Sequence, residues 1–291
     1  AVDMPIGHRL WKDADAVPAV GTRFFIQNGN WGIDENLKVV RVDIDPDEPE
    51  RFRKPDAALV GDAAPQLRAL IAALARHNRK RASRSEELNG HRAWFTERLS
   101  KLEPQLSFLK AIRNALPEDG IFVDEVSQMG FASRVALPIE KPRTFLSPGY
   151  QDNLGWGFGT ALGAKAAMPD RKVLAIAGDG GFMYQVGELA TAVRHNIAVV
   201  VVVFDNGAFG NVKRIQQERY GNRLIASDLQ NPDFGKLADS FGIASFKALD
   251  APQLEDALHK AFALNAPALV WVPHGDVPSP WDLIMMPKVR G

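Results

Sequence analysis

The sequence predicts an α/β protein made of two doubly wound parallel-sheet domains. Strand-like and helix-like segments alternate along most of the 291 residues, as they do in parallel sheets with helical crossovers. Valine-rich runs end at turn residues such as Gly21 and Asp45-Pro46. The run Ala198–Phe204 is apolar throughout, which is typical of a central strand covered by helices on both faces of its sheet.

The first domain is predicted to span residues 1–76. Ala16–Val20 and Lys38–Ile44 are its predicted strands, and Pro65 opens a helix with apolar residues on one face. At roughly 150 residues per domain, the chain is long enough for two domains, each with its own core.

Residues 77–103 are predicted to form a linker and a helix. The stretch 76–85 reads RHNRKRASRS and carries five Arg or Lys residues without an acid. A nucleic-acid patch is one interpretation, but a solvated linker is favoured because no aromatic residue is interleaved. Helical patterns follow near Arg92–Lys101 and Pro104–Leu116.

The second domain, residues 104–291 including a C-terminal tail, shows the alternation more strongly. Its predicted strands are Ile121–Asp124, Arg143–Leu146, Val173–Ala177, Ala198–Phe204, Ser245–Leu249 and Ala268–Val272. Its further predicted helices are Thr160–Met168, Val186–His195, Phe234–Phe241 and Gln253–Leu264. Ligands of such open sheets bind at the carboxyl ends of the strands.

Composition excludes several kinds of protein. Lys and Arg total 35 and Asp and Glu total 35, so no net charge attracts the chain to nucleic acid or to an anionic membrane. The absence of Cys excludes disulfides, thiolate metal sites and a cysteine nucleophile. The longest apolar run, Ile197 to Phe204, is far shorter than the ~20 residues that span a bilayer. No secretory signal is visible, and the predicted location is cytoplasmic.

Two loops at strand ends carry the candidate chemistry. The strand VLAIA leads directly into Gly178-Asp179-Gly180-Gly181, where glycines allow a phosphate to approach the backbone closely. An acid within such a loop suits a divalent cation that bridges protein and phosphate, although a simple turn is an equally good interpretation of this loop alone. The next strand ends at Asp205-Asn206, which adjacent parallel strands would place beside Asp179. Asp179, Asn206 and the carbonyl of Ala208 would then offer three oxygen ligands to Mg²⁺.

Together these segments resemble a known cofactor motif. GDGGF, the spacing of 27 residues from Asp179 to Asn206, and the following GAFG are similar to the thiamine-diphosphate motif of the acetolactate synthase and 2-oxo-acid decarboxylase superfamily. The stretches AVGTRF, VVRVDIDPDE and ALVGDA resemble the later part of that family's middle domain. The resemblance covers nearly the whole chain, but only the second half of such an enzyme.

The resemblance implies a role for each residue. Asp179, Asn206 and the Ala208 carbonyl would bind Mg²⁺, and Leu154 would lie under thiamine diphosphate and hold it bent. The backbone at Asp152 and Leu154 would bond the pyrimidine edge. The residues expected to surround the diphosphate are Gly178, Gly180, Gly181 and Phe182, and Phe209 and Gly210 complete the cofactor-binding set.

The resemblance also implies an activity and a partner. It implies decarboxylation of a 2-oxo acid and transfer of the resulting enamine to a carbonyl acceptor. The family takes its catalytic Glu from an N-terminal pyrimidine-binding domain of a partner subunit, so no catalytic residue is assigned in this chain. The chain is expected to be inactive without that domain and to form a homodimer or tetramer.

Departures from the synthase pattern leave the substrate open. Asp205 replaces the first of two asparagines, Gly181 replaces a common Ser, and Asn211 and Ile215 stand where the synthases usually carry Met and Trp. A simple 2-oxo-acid decarboxylase of the benzoylformate type and a non-catalytic cofactor-binding module therefore remain alternatives.

Other enzyme classes find little support. The glycines of GWGFG fail the G-x-G-x-x-G spacing of nicotinamide dehydrogenases, and neither G-x-S-x-G nor H-E-x-x-H occurs. FAD is a possible second cofactor, because Gly21–Phe24, Asp43–Asp47 and Asp62 match the region that binds it in some relatives. Turn residues are an equally good interpretation of these acids.

Overall fold

The computed structural model describes residues 4–149 and 151–291. The chain divides into two compact units, of which one comprises the chain up to Arg98 together with Trp281–Gly291, and the other Leu99–Pro280. Both contain a parallel sheet with helices, so the predicted α/β class with two parallel sheets is confirmed.

The C-terminal segment, Trp281–Gly291, packs with the first unit. The boundaries predicted from the sequence placed it in the second domain. The Arg290 guanidinium forms an ion pair with Asp34 at 2.8 Å and donates to the Trp11 carbonyl at 2.7 Å. The backbone N–H of Arg290 also donates to the Trp31 carbonyl. These contacts join residues more than 250 positions apart, which explains why no local pattern indicates them.

The first unit holds a sheet in the order β1-β2-β3, with all pairs parallel. Its core gathers Trp11, Ala19, Phe24, Trp31, Leu37, Val39 and Met286. The elements are α1 (Pro5–Lys12), β1 (Ala16–Val20), a π-helical turn (Gln27–Trp31), β2 (Lys38–Asp43), a 3₁₀ turn (Glu48–Glu50), β3 (Ala57–Val60), α2 (Ala63–Leu74) and α3 (Ser85–Leu99). The sequence predictions omitted α1 and β3, which are too short for a clear periodicity.

The second unit is a parallel sheet in the order β5-β4-β6-β7-β9-β8. Its strands are β4 (Ile121–Val123), β5 (Phe145–Leu146), β6 (Val173–Gly178), β7 (Val199–Asp205), β8 (Ala244–Lys247) and β9 (Ala268–Pro273). Its helices are α4 (Gln105–Ala115), α5 (Gln128–Ala136), α6 (Gly157–Ala167), α7 (Asp179–Met183), α8 (Glu188–Arg194), α9 (Gly210–Arg219), α10 (Phe234–Ser240) and α11 (Ala251–Ala263). The chain then continues to α12 (Trp281–Ile284) in the first unit.

Helices cover both faces of this sheet, as the apolar strands predicted. Alternate residues of β7 enter opposite cores: Val200, Val202 and Phe204 pack with α4 and α11, whereas Val199, Val201 and Val203 pack with α6, α8 and α10. The six strands predicted for this domain are all present within a few residues of their expected bounds. β6 and β7 are therefore held in the middle of the sheet, where their ends form the candidate site.

Candidate functional site

The ladder between β6 and β7 sets the position of the first candidate residues. Gly178 pairs with Phe204 in register, so the next residue of each strand, Asp179 and Asp205, lies at the same edge of the sheet. Gly178 keeps an extended backbone, and α7 begins immediately after it at Asp179. The expectation that the two strand-end loops meet is thus confirmed by the register.

A cavity of about 130 Å³ opens at this edge. It brings together most of the residues proposed from sequence: Leu154, Gly178, Asp179, Gly180, Gly181, Asn206, Ala208, Phe209 and Gly210. The cavity also has walls that the sequence predictions omitted, namely Val126, Ser127, Gln128, Met129 and His274. The first four lie at the start of α5, where the Ser127 hydroxyl caps the helix by accepting from the Gly130 N–H at 3.0 Å.

Two proposed residues do not line the cavity. The Phe182 ring is buried in the core, edge-on to Phe158 and Phe234, so only its backbone is left for a cofactor. The Asp152 carboxylate forms an ion pair with Arg134 at 2.7 Å. Asp152 also has a φ of 49°, a left-handed conformation that is unusual for a non-glycine residue.

Arg134 joins Asp152 to the interior of the unit. Its Nε lies 2.7 Å from Asp124 Oδ2, and Asp124 is fully buried at the end of β4. Burial raises the pKa of Asp124, and the positive charge of Arg134 opposes this rise. The loop that carries Asp152 and Leu154 is therefore tied to the sheet by one guanidinium group.

A second buried carboxylate fixes the far end of the same loop. Glu125 is fully buried and accepts hydrogen bonds from the backbone N–H groups of Gly155 at 2.5 Å and Gly157 at 2.6 Å. Burial raises the pKa of Glu125, while these backbone donors stabilise its charged form. Glu125 also lies against Gly181, where an added Cβ would stand 2.9 Å from its Oε1. A side chain at position 181 would therefore have to displace the Glu125 carboxylate.

The cavity contains oxygen donors of the kinds that bind metal ions. Asp179 is 2% exposed, and its burial, together with the neighbouring Asp205 charge, raises its pKa. Both effects disfavour the charged carboxylate, and a bound cation would stabilise it. The bridge between Ala208 and Asp228 uses the Gly207 carbonyl and the Phe209 N–H, so its ladder bonds do not engage the Ala208 carbonyl. Gln128 Oε1, on the cavity wall, is buried without a hydrogen-bond partner. Carboxylate, carbonyl and amide oxygens of this kind are the ligands that a hard divalent cation takes.

This site would use mixed oxygen ligands. Within residues 4–149 and 151–291, no three His, Asp or Glu side chains lie close enough together to hold a metal ion. A carboxylate, an amide oxygen and a carbonyl leave room for phosphate oxygens and water, as Mg²⁺ sites commonly do.

Asn231 is a further residue of this edge that sequence reasoning missed. Its side-chain nitrogen lies 2.6 Å from Asp179 Oδ2 and 2.7 Å from Asp205 Oδ1. Asp205 Oδ2 accepts in addition from Trp271 Nε1 at 3.0 Å. Because Asn231 is 52 positions from Asp179, spacing along the chain gives no signal of this contact.

His274 lines the cavity from the residue after β9. Its Nδ1 lies 2.6 Å from the Gly275 carbonyl, so Nδ1 must carry the proton and Nε2 is then the acceptor of the neutral ring. Burial lowers the pKa of His274, which favours that neutral form.

The acids proposed for FAD make local bonds in the first unit. Asp62 caps α2 by accepting from the Ala64 N–H at 2.9 Å. Asp43 and Asp45 accept from the backbone N–H groups of Asp45 and Asp47, respectively. Turn formation accounts for each of these bonds.

In the described part of the chain, no helix combines the length and the apolarity needed to cross a membrane.

The fold and the site together define a class of cofactor-binding enzyme. Residues 125–272 match the model of the thiamine pyrophosphate enzyme C-terminal TPP-binding domain, and residues 3–70 match that of the thiamine pyrophosphate enzyme central domain. The chain belongs to the thiamine pyrophosphate enzyme family.

Particular relatives sharpen this assignment. The chain is 32% identical over 276 residues to a probable acetolactate synthase large subunit of Methanocaldococcus jannaschii, covering 89% of this chain and 46% of the relative. It is 30% identical over 281 residues to a probable 2-ketoarginine decarboxylase, AruI, of Pseudomonas aeruginosa, covering 92% and 48%. It is 28% identical over 266 residues to the acetolactate synthase isozyme 3 large subunit of Escherichia coli, covering 86% and 45%. The chain spans about half the length of the curated relatives it matches.

Proposed function

We propose that the chain binds thiamine diphosphate and Mg²⁺ at the ends of β6 and β7, and serves an enzyme that decarboxylates a 2-oxo acid and transfers the product to a carbonyl acceptor. The observation that carries this proposal is the cavity in which Asp179, Asn206 and Ala208 meet. The similarity to acetolactate synthase large subunits supports the reaction class.

The chain's own residues hold and orient the cofactor. Asp179, Asn206 and the Ala208 carbonyl would bind Mg²⁺, and the backbone N–H groups from Gly178 to Phe182 would face the diphosphate. Leu154, on the cavity wall, would support the cofactor's bend. When bound, thiamine diphosphate supplies the electron sink for decarboxylation, so the protein's task is position and electrostatics.

We assign no catalytic acid or base in this chain. The Glu of the pyrimidine side is expected from a separate pyrimidine-binding domain, and the active form is expected to be a homodimer or tetramer. Turnover by the chain mixed with such a domain, and none by the chain alone, is the expected result. Turnover by the chain alone would show that it contains its own base.

A simple 2-oxo-acid decarboxylase is the second candidate. The similarity to a probable 2-ketoarginine decarboxylase supports it, as does polar Asn211 on the cavity wall. Pyruvate, benzoylformate and 5-guanidino-2-oxopentanoate, each with and without an acceptor aldehyde, separate the two candidates. A ligated product indicates a transferase, whereas carbon dioxide with only free aldehyde indicates a decarboxylase.

Calorimetric titration tests the binding site itself. Thiamine diphosphate is expected to bind only when Mg²⁺ is present, and Asp179→Ala should weaken that binding by about tenfold or more because the charged ligand is lost. Asp239→Ala, which removes an exposed aspartate of the same unit, is the matched control and should leave affinity unchanged. Absence of binding, even with a pyrimidine-binding domain supplied, would overturn the proposal.

FAD in the first unit is a separate proposal, drawn from resemblance. Purified protein that carries FAD shows the visible absorption of an oxidised flavin and releases FAD on denaturation. A colourless preparation that also fails to bind added FAD would leave the acids of this unit with their turn and capping roles alone.

A further inference from the structure

The orientation of the Asn231 amide is fixed by its neighbours. Ionised carboxylates only accept hydrogen bonds, so the nitrogen of the amide, and not its oxygen, must face Asp179 and Asp205. An amide nitrogen carries two hydrogens, and the two carboxylates use both. One side chain therefore holds two negatively charged groups side by side.

Both carboxylate oxygens of Asp205 accept hydrogen bonds from the protein. Its Oδ1 accepts from Asn231 and from the Gly207 N–H at 3.2 Å, and its Oδ2 accepts from Trp271 Nε1. Asp179 Oδ2 is engaged by Asn231, and the backbone N–H of Gly180 lies against the same carboxylate. The two carboxylates of this edge thus have different surroundings although they end adjacent strands.

We propose that Asn231 is a positioning residue of the metal end of the cavity, which directs Asp179 toward the cation and, with Trp271, keeps Asp205 out of the coordination sphere. The inference rests on the proposed function, since it assigns a cation to Asp179. It explains how the chain accommodates an aspartate at position 205, where the synthases it resembles carry asparagine. Without a donor between them, two adjacent carboxylates repel each other.

Metal selectivity tests this role. Asn231→Leu keeps the approximate volume and removes both donors, so Asp205 is released and can reach the cation. An extra carboxylate favours the larger, more highly coordinated Ca²⁺ over Mg²⁺. In the presence of thiamine diphosphate, the ratio of Mg²⁺ to Ca²⁺ affinity should fall about tenfold, and adding Asp205→Asn should return the ratio toward the wild-type value. Equal losses for both ions, with no recovery in the double variant, would overturn the proposal.

Trp271→Phe provides a second variant in case the leucine variant does not fold. It removes the other side-chain donor to Asp205, so the selectivity ratio should shift in the same direction by a smaller factor. Asn114→Leu is the matched control, because the Asn114 amide also donates to the carboxylate of a residue far along the chain, Glu255, at 3.0 Å. Neither residue lines the cavity. A shift caused by Asn114→Leu equal to that of Asn231→Leu would also contradict the proposal.

A cofactor-free measurement separates this proposal from the proposed function. In urea, Asn231→Leu should lower the unfolding midpoint, and adding Asp205→Asn should raise it again because the repulsion between the carboxylates is removed. If wild-type protein binds no Mg²⁺ with thiamine diphosphate, the proposed function and the metal role both fail, whatever the urea series shows. If wild-type protein binds both but the double variant recovers neither midpoint nor selectivity, only the role of Asn231 fails.

Discussion

The two sides of the cavity are built by different means. On the strand side, Asp179 and Asn206 follow β6 and β7, and the ladder register sets their places. On the loop side, Asp152 and Leu154 lie between Gln151 and Trp156, where the backbone forms neither helix nor strand. There, position depends on the ion pair of Arg134 with Asp152 and on hydrogen bonds to Glu125.

This difference determines what each side tolerates. The strand side is closely packed, so added volume should disturb it more than the loss of one polar contact. The loop side is partly open, since Leu154 is 40% exposed, and should tolerate a change of volume but not the loss of a buried charge. Three substitutions test this contrast.

Arg134→Met should have the largest effect. It leaves the buried Asp124 without the Arg134 guanidinium and releases Asp152. Removing one partner of a buried ion pair, here that of Arg134 with Asp124, lowers the free energy of unfolding by about 3 kcal/mol. Urea denaturation followed by circular dichroism measures the loss. Arg194→Met, on exposed α8 surface, is the control with the same change of charge and should be close to neutral. Equal losses in the two variants would remove the distinction between the two sides.

The same variant should show a defined pH dependence. Burial already raises the pKa of Asp124, and loss of Arg134 raises it further. The folded variant then binds a proton that the unfolded chain has released, so the contribution of Asp124 to stability is greatest at acid pH and falls as pH rises from the ordinary aspartate range toward that raised pKa. The deficit relative to wild type should therefore grow from acid to neutral pH, and a constant deficit would argue against an ionised Asp124.

The contrast also explains which parts of the site the sequence could predict. Asp179, Asn206 and Ala208 were predicted because strands of parallel sheets end at one edge, and an apolar strand is readable from its residues. Asn231 and Trp271 were not predicted, because their partners lie 52 and 66 positions away. Helix α9 was omitted because none of its residues is buried, so no apolar periodicity marks it. Register propagates along a sheet, whereas single long-range contacts have no local signature.

Gly180→Ala tests the packing of the strand side. An added Cβ would lie 2.4 Å from Phe209 Cε1, so the ring or α7 must shift, at a cost of about 1–3 kcal/mol. Calorimetry should also show weaker binding of thiamine diphosphate, because Phe209 lines the same cavity.

Gly187→Ala is the matched control for that packing argument. Its backbone is helical and nothing lies within 4 Å of the added Cβ, so it should be neutral or stabilise the protein by about 0.5 kcal/mol. If Gly180→Ala leaves stability and affinity unchanged, the strand side is not closely packed around Phe209, and the contrast with the loop side fails.

Leu154→Ala should have the smallest effect on stability and still weaken cofactor binding. Because Leu154 is 40% exposed, its truncation should cost less than about 1 kcal/mol of the free energy of unfolding. A bound cofactor would cover the side chain, so removing its three carbon atoms should lower the affinity for thiamine diphosphate about tenfold. Leu264→Ala, at a leucine 47% exposed and outside the cavity lining, should match its stability loss without the loss of affinity. If both leucine variants bind the cofactor like wild type, Leu154 does not support it, and the loop side then contributes to the site only through its backbone.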